Sequence, residues 1–440
     1  MNLLWLVLVV GAVLIGGWQG HLQELTDKSF EMTKTAVIDI AFPLIGIMAL
    51  WLGIMRLAER AGLVSLLARC MRPLLRRLFP DVPPDHPAMG SMVMNIAANM
   101  LGLGNAATPL GLRAMKDLET LNRNPGTATD AMCTFLAINT SSVQIVPVTA
   151  MAILAANHST NPTAIVGTSL IASVCACTCG VTTARLLARL PFFKLSRPNS
   201  TTALPGDTAA AVGSEKSPVK EAAGLKPLRW WGGVIMAAFF LYFCWLFYGL
   251  LVAPAVAGAV STPLTRVVNA ISLLLVPFLL AVFPLYAFLR GVKIYEEFVD
   301  AAKEGFDVAV RIIPYLLAVL VAVGMFRAAG GIDMLSNWLK PVLNRIGFPV
   351  ELLPMVLMRP LSGGGTLGMF TELTQHFGGD SLIARMAGTI YGSTETTFYV
   401  LAVYFGSVAI RKTRYAVIAG LTADAVSVTV AIIICRMMFG

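Results

Sequence analysis

Long apolar runs separated by short polar loops dominate this chain. Two of them, Trp230 to Ala253 and Val267 to Leu289, contain no charged residue, and each is long enough to cross a hydrocarbon core of roughly 30 Å as a helix. Further apolar runs lie at residues 3–17, 36–56, 131–155, 164–184, 308–326, 383–410 and 415–435. The pattern therefore predicts an all-α polytopic membrane protein.

The first run, Leu3 to Gly17, lacks the basic segment and the small-residue cleavage site of a secretory signal. It predicts a retained first helix, and because the run is short, an interfacial helix is the alternative. Composition supports the membrane assignment: 13% of the residues are charged, against about 25% in an ordinary soluble domain.

One segment has the composition of a linker. Between Arg185 and Arg229 the chain is rich in Pro, Gly, Ser, Thr and Lys, which is typical of segments that cannot form a packed core. It predicts a first half at residues 1–187, a flexible linker at 188–229 and a second half at 230–440.

The two halves share an ordered set of marker residues. A proline, a glycine and an arginine recur at a constant offset of 271 residues: Pro43, Gly53 and Arg56 match Pro314, Gly324 and Arg327. The first half holds an even number of spans, and the extra helix at 230–253 turns the second half upside down. This predicts two inverted-topology repeats, an arrangement found in many secondary transporters.

Basic residues are concentrated in three loops, at 56–85, 185–229 and 411–414. The positive-inside rule places such loops on the cytoplasmic side of a bacterial inner membrane. The same rule explains the net charge of +9, so we expect no nucleic-acid partner. One segment disagrees, because residues 327–353 should lie outside yet contain Arg327, Lys340 and Arg345.

Two glycine-rich segments are too polar for lipid-facing helices. Residues 95–111 read NIAANMLGLGNAATPLG, and residues 359–373 read RPLSGGGTLGMFTEL. Irregular backbone at membrane depth survives only where it is buried in protein or lines a wet cavity. We therefore predict that residues 88–112 and 353–373 form re-entrant hairpins or broken helices that do not cross the bilayer. The alternative is close helix packing, with asparagines bonding across helices.

Arg359 introduces a charge into the second of these segments. Because an arginine is costly to bury in a membrane, we expect it to pair with a carboxylate or to line a cavity. The alternative is a shallow segment from which Arg359 reaches the interface.

Two further polar strings interrupt predicted spans: INTSSVQIVP at 138–147 and GSTETTFYVLAVYFG at 392–406. Polar clusters in paired helices point to a substrate site, and these two are expected to face each other across the repeat axis. Glu395 is the carboxylate whose charge we expect to matter. Asp424 and Asp39 are weaker candidates, for which a structural hydrogen bond is the alternative. The predicted solute-binding residues are Asn95, Asn99, Asn105, Thr108, Asn139, Thr140, Ser141, Ser142, Gln144, Arg359, Ser362, Gly363, Gly364, Gly365, Ser393, Thr394, Glu395 and Thr396.

No catalytic constellation competes with this interpretation. The sequence contains no GxSxG, HExxH or Walker-type motif. Cys175, Cys177 and Cys179 lie in an apolar helix, where alternate residues point about 200° apart and are poorly placed to bind one metal. We expect no enzymatic activity, cofactor or metal. The expected partners are a small polar solute, the lipid bilayer and further copies of the chain in a homo-oligomer.

Three strings carry a family resemblance. MVMNIAANMLGLGNAATPLGLRAMKDL at 92–118 resembles the spore maturation protein A family, whereas RPLSGGGTLGMFTEL and YGSTETTFYVLAVYFG resemble the spore maturation protein B family. The resemblance covers nearly the whole chain except 190–226. It implies the nucleoside-recognition, or gate, domain that also occurs distantly in concentrative nucleoside transporters and ferrous-iron permeases. In nucleoside transporters of that wider group, polar residues on such segments hold base and ribose, and by this similarity Asn95, Asn99, Asn105 and residues 393–396 would be the corresponding polar lining.

These observations favour a membrane transporter or permease for a small polar, nucleoside-like solute. A non-transporting membrane scaffold, or an envelope or spore maturation factor, is the alternative. A solute-sized cavity that reaches Asn99 and Glu395 would favour the permease, and a tightly packed interior the scaffold. A membrane enzyme or lipid-handling protein would instead show a lateral opening to lipid beside the polar cluster.

Overall fold

The computed structural model describes residues 2–102, 104–193, 227–252, 263–331 and 347–440, with the single positions 334, 341 and 343. Within these residues the chain is helical, and its extended pairing is limited to a bridge between Thr127 and Lys412. Five stretches are long and apolar enough to cross a bilayer: Leu22–Arg60, Pro162–Arg189, Trp230–Val252, Thr265–Leu289 and Ala416–Phe439. The prediction of an all-α polytopic membrane protein is confirmed.

The helices before the predicted linker are α1 (Asn2–Gln19), α2 (Leu22–Lys34), α3 (Phe42–Arg60), α4 (Leu63–Leu78), α5 (Pro87–Met100), α6 (Gly104–Glu119), α7 (Asp130–Ser141), α8 (Val148–Ala156) and α9 (Ile165–Arg189). A π-helical segment, Thr35–Ala41, joins α2 to α3. The later helices are α10 (Trp230–Val252), α11 (Pro263–Leu289), α12 (Ile294–Ala328), α13 (Leu353–Met358), α14 (Gly363–Phe377), α15 (Leu382–Ser393), α16 (Thr397–Gly406) and α17 (Ala416–Phe439).

The longest helices, α2–α3 and α12, pack side by side in opposite directions. A Cβ atom added at Gly53 would lie 2.5 Å from the Phe298 ring, and one added at Gly324 would lie 2.7 Å from Met32. The two glycines that the sequence matched at the offset of 271 therefore have equivalent roles, because each lets a bulky side chain of the opposite helix approach closely. Gly53 of α3 faces Phe298 of α12, and Gly324 of α12 faces Met32 of α2. Such reciprocal contacts are expected when an approximate two-fold axis relates two inverted halves.

Both polar glycine-rich segments fold as antiparallel helical hairpins. Hairpin 1 (residues 87–119) comprises α5 and α6, and Gly102 in its turn has a φ of +75°. Hairpin 2 (residues 353–377) comprises α13 and α14, and the Ser362 hydroxyl caps α14 by accepting from the Gly365 N–H at 3.0 Å. The four helices have 14, 16, 6 and 15 residues, all short of the roughly 20 that a transmembrane helix needs.

Two predicted spans are interrupted. The run 131–155 divides into α7 and α8 at break 1 (residues 142–147), and the run 383–410 divides into α15 and α16 at break 2 (residues 394–396). Pro147 cannot donate a helical hydrogen bond, and the Ser141 hydroxyl already bonds to the Ala137 carbonyl at 2.8 Å. Both runs therefore form discontinuous helices and not single spans, and Glu395 lies in break 2, between α15 and α16.

The loops of the two halves interlock at what we call the basic end. Arg185 donates to the Arg77 carbonyl at 2.6 Å, and Arg414 donates to the Phe193 carbonyl and to Asp130 Oδ1, the latter at 2.6 Å. We call the Arg414 contacts the basic-end latch. Together with the bond from Arg185 to the Arg77 carbonyl, these contacts bring residues of all three basic loops to one end of the described structure.

A second latch lies at the opposite, far end. There Asp380, in the loop after hairpin 2, accepts from the Ser159 hydroxyl at 2.7 Å and from the Thr160 N–H at 2.8 Å. We call these contacts the far-end latch.

Arg327 is one of the basic residues that disagreed with the predicted orientation. It pairs with Glu372, at nitrogen-to-oxygen distances of 2.5 and 3.0 Å. Its charge is therefore neutralised locally. Lys340 and Arg345 lie outside the described residues.

Candidate functional site

The two breaks cross each other. The backbone N–H of Glu395 donates to the Thr140 carbonyl at the end of α7, at 2.8 Å. Gln144 Nε2 donates to Glu395 Oε1 at 3.3 Å. A Cβ atom on Gly392 would lie 2.5 Å from Pro147 Cβ, so the absence of a side chain at Gly392 permits this close crossing. The structure brings together the two polar strings that the sequence placed on opposite halves.

The turn of each hairpin is hydrogen-bonded to the backbone at or just beyond the break of its own half. The Met100 carbonyl accepts from the Ile145 N–H at 2.9 Å, and the Pro360 carbonyl accepts from the Phe398 N–H, also at 2.9 Å. These bonds satisfy backbone groups that lack a helical partner at an interruption. Two hairpin turns and two breaks thus form one assembly.

An uncharged amide network fills the part of this assembly that belongs to the first half. Asn99 donates to Asn139 Oδ1 at 2.9 Å, and Asn139 donates to the Phe135 carbonyl at 2.9 Å. Asn95 is fully buried and donates to the Ala107 carbonyl at 2.8 Å. Tyr404 of α16 lies 3.4 Å from Asn95 Nδ2 and 3.5 Å from Asn139 Oδ1. Tyr404 was not predicted, because it sits in an apolar run with no local polar signal.

Arg359 occupies the corresponding place in the second half and is only 4% exposed. Its Nε donates to the Thr394 hydroxyl at 2.9 Å, and its terminal nitrogen donates to the carbonyls of Tyr391, at 2.9 Å, and of Thr394. Its guanidinium also stacks 4.6 Å from the centre of the Tyr391 ring. Arg359 therefore caps the carbonyl end of α15, where the helix dipole is negative.

This arrangement corrects one part of the expected environment of Arg359, the pairing with a carboxylate. Within the described chain, no carboxylate oxygen lies within 4.0 Å of its guanidinium. Orphaned backbone carbonyls at a break attract a cation as a carboxylate does, and the sequence alone does not reveal where a helix will stop.

The remaining predicted residues mostly shape the breaks. Thr140 and Ser141 bond to the Ala137 carbonyl at the end of α7, and Ser142 has a φ of +28°. Ser393 Oγ lies 2.6 Å from Ser427 Oγ of α17. Gly363 faces Thr396, whose Oγ1 would lie 3.0 Å from an added Cβ atom. The other predicted positions are Gly364 and Gly365 in the first turn of α14, Thr108, which is half-buried on α6, and Asn105, whose side chain lies outside the described set.

The polar side chains of the assembly differ in their exposure. Asn99, Gln144 and Glu395 are half-buried, whereas Asn95, Asn139 and Arg359 are buried. The half-buried groups are two primary amides, with donors and acceptors, and one carboxylate. They suit a solute that carries several hydroxyl or amide groups.

The three candidate carboxylates have different surroundings. Glu395 lies in break 2, where it contacts Gln144 of break 1. Asp424 of α17 is 6% exposed and accepts from the Thr397 hydroxyl at 2.6 Å. Asp39 is exposed on the π-helical segment and accepts from the Thr35 hydroxyl at 3.2 Å.

A separate groove of about 650 Å³ lies on α10 and α11. It is lined by Trp245, Leu246, Tyr248, Gly249, Leu250, Val252, Leu273 and Leu274. Its lining includes no residue of either break.

Comparison with known proteins agrees with this geometry. The family model for the Gate domain, described as nucleoside recognition, matches residues 41–157 and 309–411. Together these ranges amount to half of the chain, and each contains one hairpin and its break.

Two curated relatives from Bacillus subtilis (strain 168) cover different parts of the chain. Spore maturation protein B is 45% identical over 175 residues, which are 40% of this chain and 98% of that protein. Spore maturation protein A is 44% identical over 174 residues, which are 40% of this chain and 88% of that protein. The chain therefore belongs to the Gate, or nucleoside recognition, family and carries two gate regions in one polypeptide.

Proposed function

We propose that this multi-pass membrane protein is a permease for a small polar, nucleoside-like solute that binds where the two breaks cross. One observation carries the proposal: Gln144 of one half and Glu395 of the other lie 3.3 Å apart, half-buried, between two discontinuous helices. Inverted repeats with discontinuous helices are how many secondary transporters build a site at the membrane midplane.

The chemistry of the half-buried side chains of Asn99, Gln144 and Glu395 supports a nucleoside-like solute. A carboxylate accepts hydrogen bonds and does not donate them, so Glu395 suits the hydroxyls of a sugar or the N–H groups of a base. The amides of Asn99 and Gln144 complement both donors and acceptors. A solute that binds here would displace the long Gln144 to Glu395 contact.

The two latches supply a means of alternating access. The basic-end latch and the far-end latch each join loops from opposite halves. Release of one latch while the other stays closed would open the crossing to one side at a time. We place the protein in a bacterial inner membrane with the basic end in the cytoplasm, following the positive-inside rule.

Uptake of radiolabelled uridine into liposomes that contain the purified full-length protein tests the proposal. We expect Glu395→Gln to lower uptake at least tenfold while leaving the thermal unfolding midpoint nearly unchanged, because the amide keeps the volume but not the charge. Glu24→Gln, the same change at an exposed position of α2, is the matched control. Wild-type protein that neither binds nor transports uridine would overturn the nucleoside proposal.

A non-transporting scaffold is the second candidate. Both latches are formed at once, as suits a rigid assembly, and the relatives are named for spore maturation. A disulfide across the far-end latch separates the two candidates. A Cβ atom at Gly379 would lie 3.0 Å from Ser159 Cβ, which is shorter than the roughly 3.5–4.5 Å found in disulfides, so the two loops need to separate only slightly for the bond to form. In the Ser159→Cys, Gly379→Cys double variant, oxidation should stop uptake by a permease, and dithiothreitol should restore it.

A further inference from the structure

We propose that Asp424 holds a small monovalent cation, a proton or Na⁺, between α17 and break 2. Asp424 is 6% exposed, and α17 packs against α7, α9, α15 and α16. One carboxylate oxygen, Oδ2, accepts from the Thr397 hydroxyl at 2.6 Å. The other, Oδ1, is buried and has no hydrogen-bond partner in the part of the chain that the structure describes.

A buried carboxylate with an unpartnered oxygen is costly in its charged form. It is stabilised either by taking up a proton or by contact with a cation. The hydrogen bond from Thr397 satisfies only one of the two oxygens and does not neutralise the charge. The geometry therefore points to a ligand with a positive charge.

The charges around the site agree with a single added cation. Arg359 and Glu395 are the charged groups that act most strongly on Asp424. Arg359 is committed to the carbonyl end of α15 and makes no ion pair with Asp424. One arginine and two carboxylates leave a formal charge of −1, which one monovalent cation brings to zero.

Other titratable groups on the surrounding helices do not supply that charge. Asp130 and Arg185 belong to the basic end, and Arg385 and Arg436 to the far end. Nearer the breaks the other titratable side chains are thiols and phenols and include no arginine, lysine or histidine, namely Cys177 of α9, Tyr391 of α15 and Tyr399 and Tyr404 of α16.

Hydroxyl-bearing side chains lie beside α17 one turn before and one turn after Asp424. A Cβ atom added at Gly420, one turn before Asp424, would lie 2.8 Å from the methyl carbon Cγ2 of Thr397 and 3.5 Å from Thr140 Oγ1. Ser427, one turn after Asp424, lies 2.6 Å from the Ser393 hydroxyl. Hard cations prefer oxygen ligands of this kind. A cation at Asp424 would therefore bind α17 to the end of α15 and the start of α16.

This inference rests on the proposed function only for the coupling of cation binding to solute movement. Binding itself can be measured without a solute. The purified full-length protein in detergent is unfolded thermally in NaCl or in choline chloride at pH 7.5, and in choline chloride from pH 5.5 to 8.5. We expect the wild-type midpoint to rise by about 2 °C or more with Na⁺ or with falling pH, because a ligand that binds only the folded state stabilises it.

The Asp424→Asn variant should lose that response, because the neutral amide needs no cation. Asp39→Asn makes the same change at an exposed position and should keep the response. A response to Na⁺ identifies the metal ion, and a response to pH without Na⁺ identifies the proton. Equal responses in wild type and Asp424→Asn would overturn the inference.

A second measurement covers an Asp424→Asn variant that does not fold. Thr397→Val removes the hydrogen bond to Asp424 Oδ2 and should shift the half-maximal Na⁺ concentration, or the pH midpoint of the response, by at least threefold in cation concentration. An unshifted midpoint would contradict the site. If the cation response is present but uridine is neither bound nor transported, the proposed function fails while this inference stands.

Discussion

The two halves of this protein build the same backbone assembly and fill it with different chemistry. In each half the carbonyl of a hairpin turn accepts from an N–H at or just beyond the break, Met100 from Ile145 and Pro360 from Phe398. The residues that precede Met100 and Pro360 have different roles. Asn99 donates a side-chain hydrogen bond to Asn139, whereas Arg359 caps the carbonyl end of α15. The first break bears no charged side chain, and the second bears Glu395.

The comparison separates what the repeat must keep from what it can vary. Backbone groups at a break need partners wherever they are buried, so the turn-to-break bonds occur in both halves. Side chains are free to differ once those partners are supplied. The charged second half thus offers groups that respond to a solute or a cation, while the amide network of the first half holds its hairpin and break together.

The largest expected effect comes from removing the arginine. Arg359→Met leaves two buried carbonyls and the Thr394 hydroxyl without their donor, and we expect a loss of about 3 kcal/mol or more in unfolding free energy. Asn99→Ala removes one hydrogen bond between side-chain amides and should lower the unfolding free energy by about 1 kcal/mol. Denaturant unfolding of both variants in the same detergent measures the difference. Equal losses would show that the two turns are not held differently.

The latches allow a second comparison, with an intermediate effect. The Arg414 side chain is 8% exposed and bonds to Asp130, to the Ala128 carbonyl and to the Phe193 carbonyl. Arg414→Gln should lower stability by about 2 kcal/mol, since several charge-assisted hydrogen bonds to partly buried groups are lost together. Hydrogen exchange should quicken at residues 126–130 and stay unchanged at 157–161. Faster exchange at both ends would mean that the latches do not open separately.

The smallest effect is the pH dependence of the far-end latch. The hydrogen bond from the Thr160 N–H, helped by the Ser159 and Thr160 hydroxyls and by Arg385, holds the pKa of Asp380 well below its ordinary value of 3.8. A lowered folded-state pKa contributes stability that is present above the unfolded value and lost as the pH falls through the folded one.

We therefore expect Asp380 to stabilise the wild type by a constant amount between pH 5 and pH 8, and the wild-type unfolding midpoint to fall more steeply than that of Asp380→Asn below about pH 4. Thermal unfolding of both proteins from pH 3 to pH 7 measures the two slopes. Parallel curves over that range would show that the Asp380 contacts do not stabilise the folded protein.

Local composition predicted both hairpins, because Asn, Gly and Pro at such density exclude a lipid-facing helix. The helices α10 and α11 followed from the lengths of the uncharged runs Trp230 to Ala253 and Val267 to Leu289. The breaks were flagged only as polar strings inside spans. Ser, Thr and Pro permit a helix to stop, but whether it stops depends on partners for the freed backbone groups. Those partners come from distant turns, as Pro360 does for Phe398.

The sequence by itself determined the class of this protein. The lengths of the apolar runs, the positions of the charges and the recurrence of markers such as Gly53 and Gly324 are properties of the linear sequence and require no knowledge of which helices are in contact. Only the tertiary structure decided which polar groups meet. Arg359 found carbonyls instead of a carboxylate, Tyr404 joined an amide network 265 residues away at Asn139, and Asp424 kept one oxygen without a partner. Each outcome depends on how helices distant in sequence pack together, because hydrogen bonding and electrostatics act over a few ångströms and not along the chain.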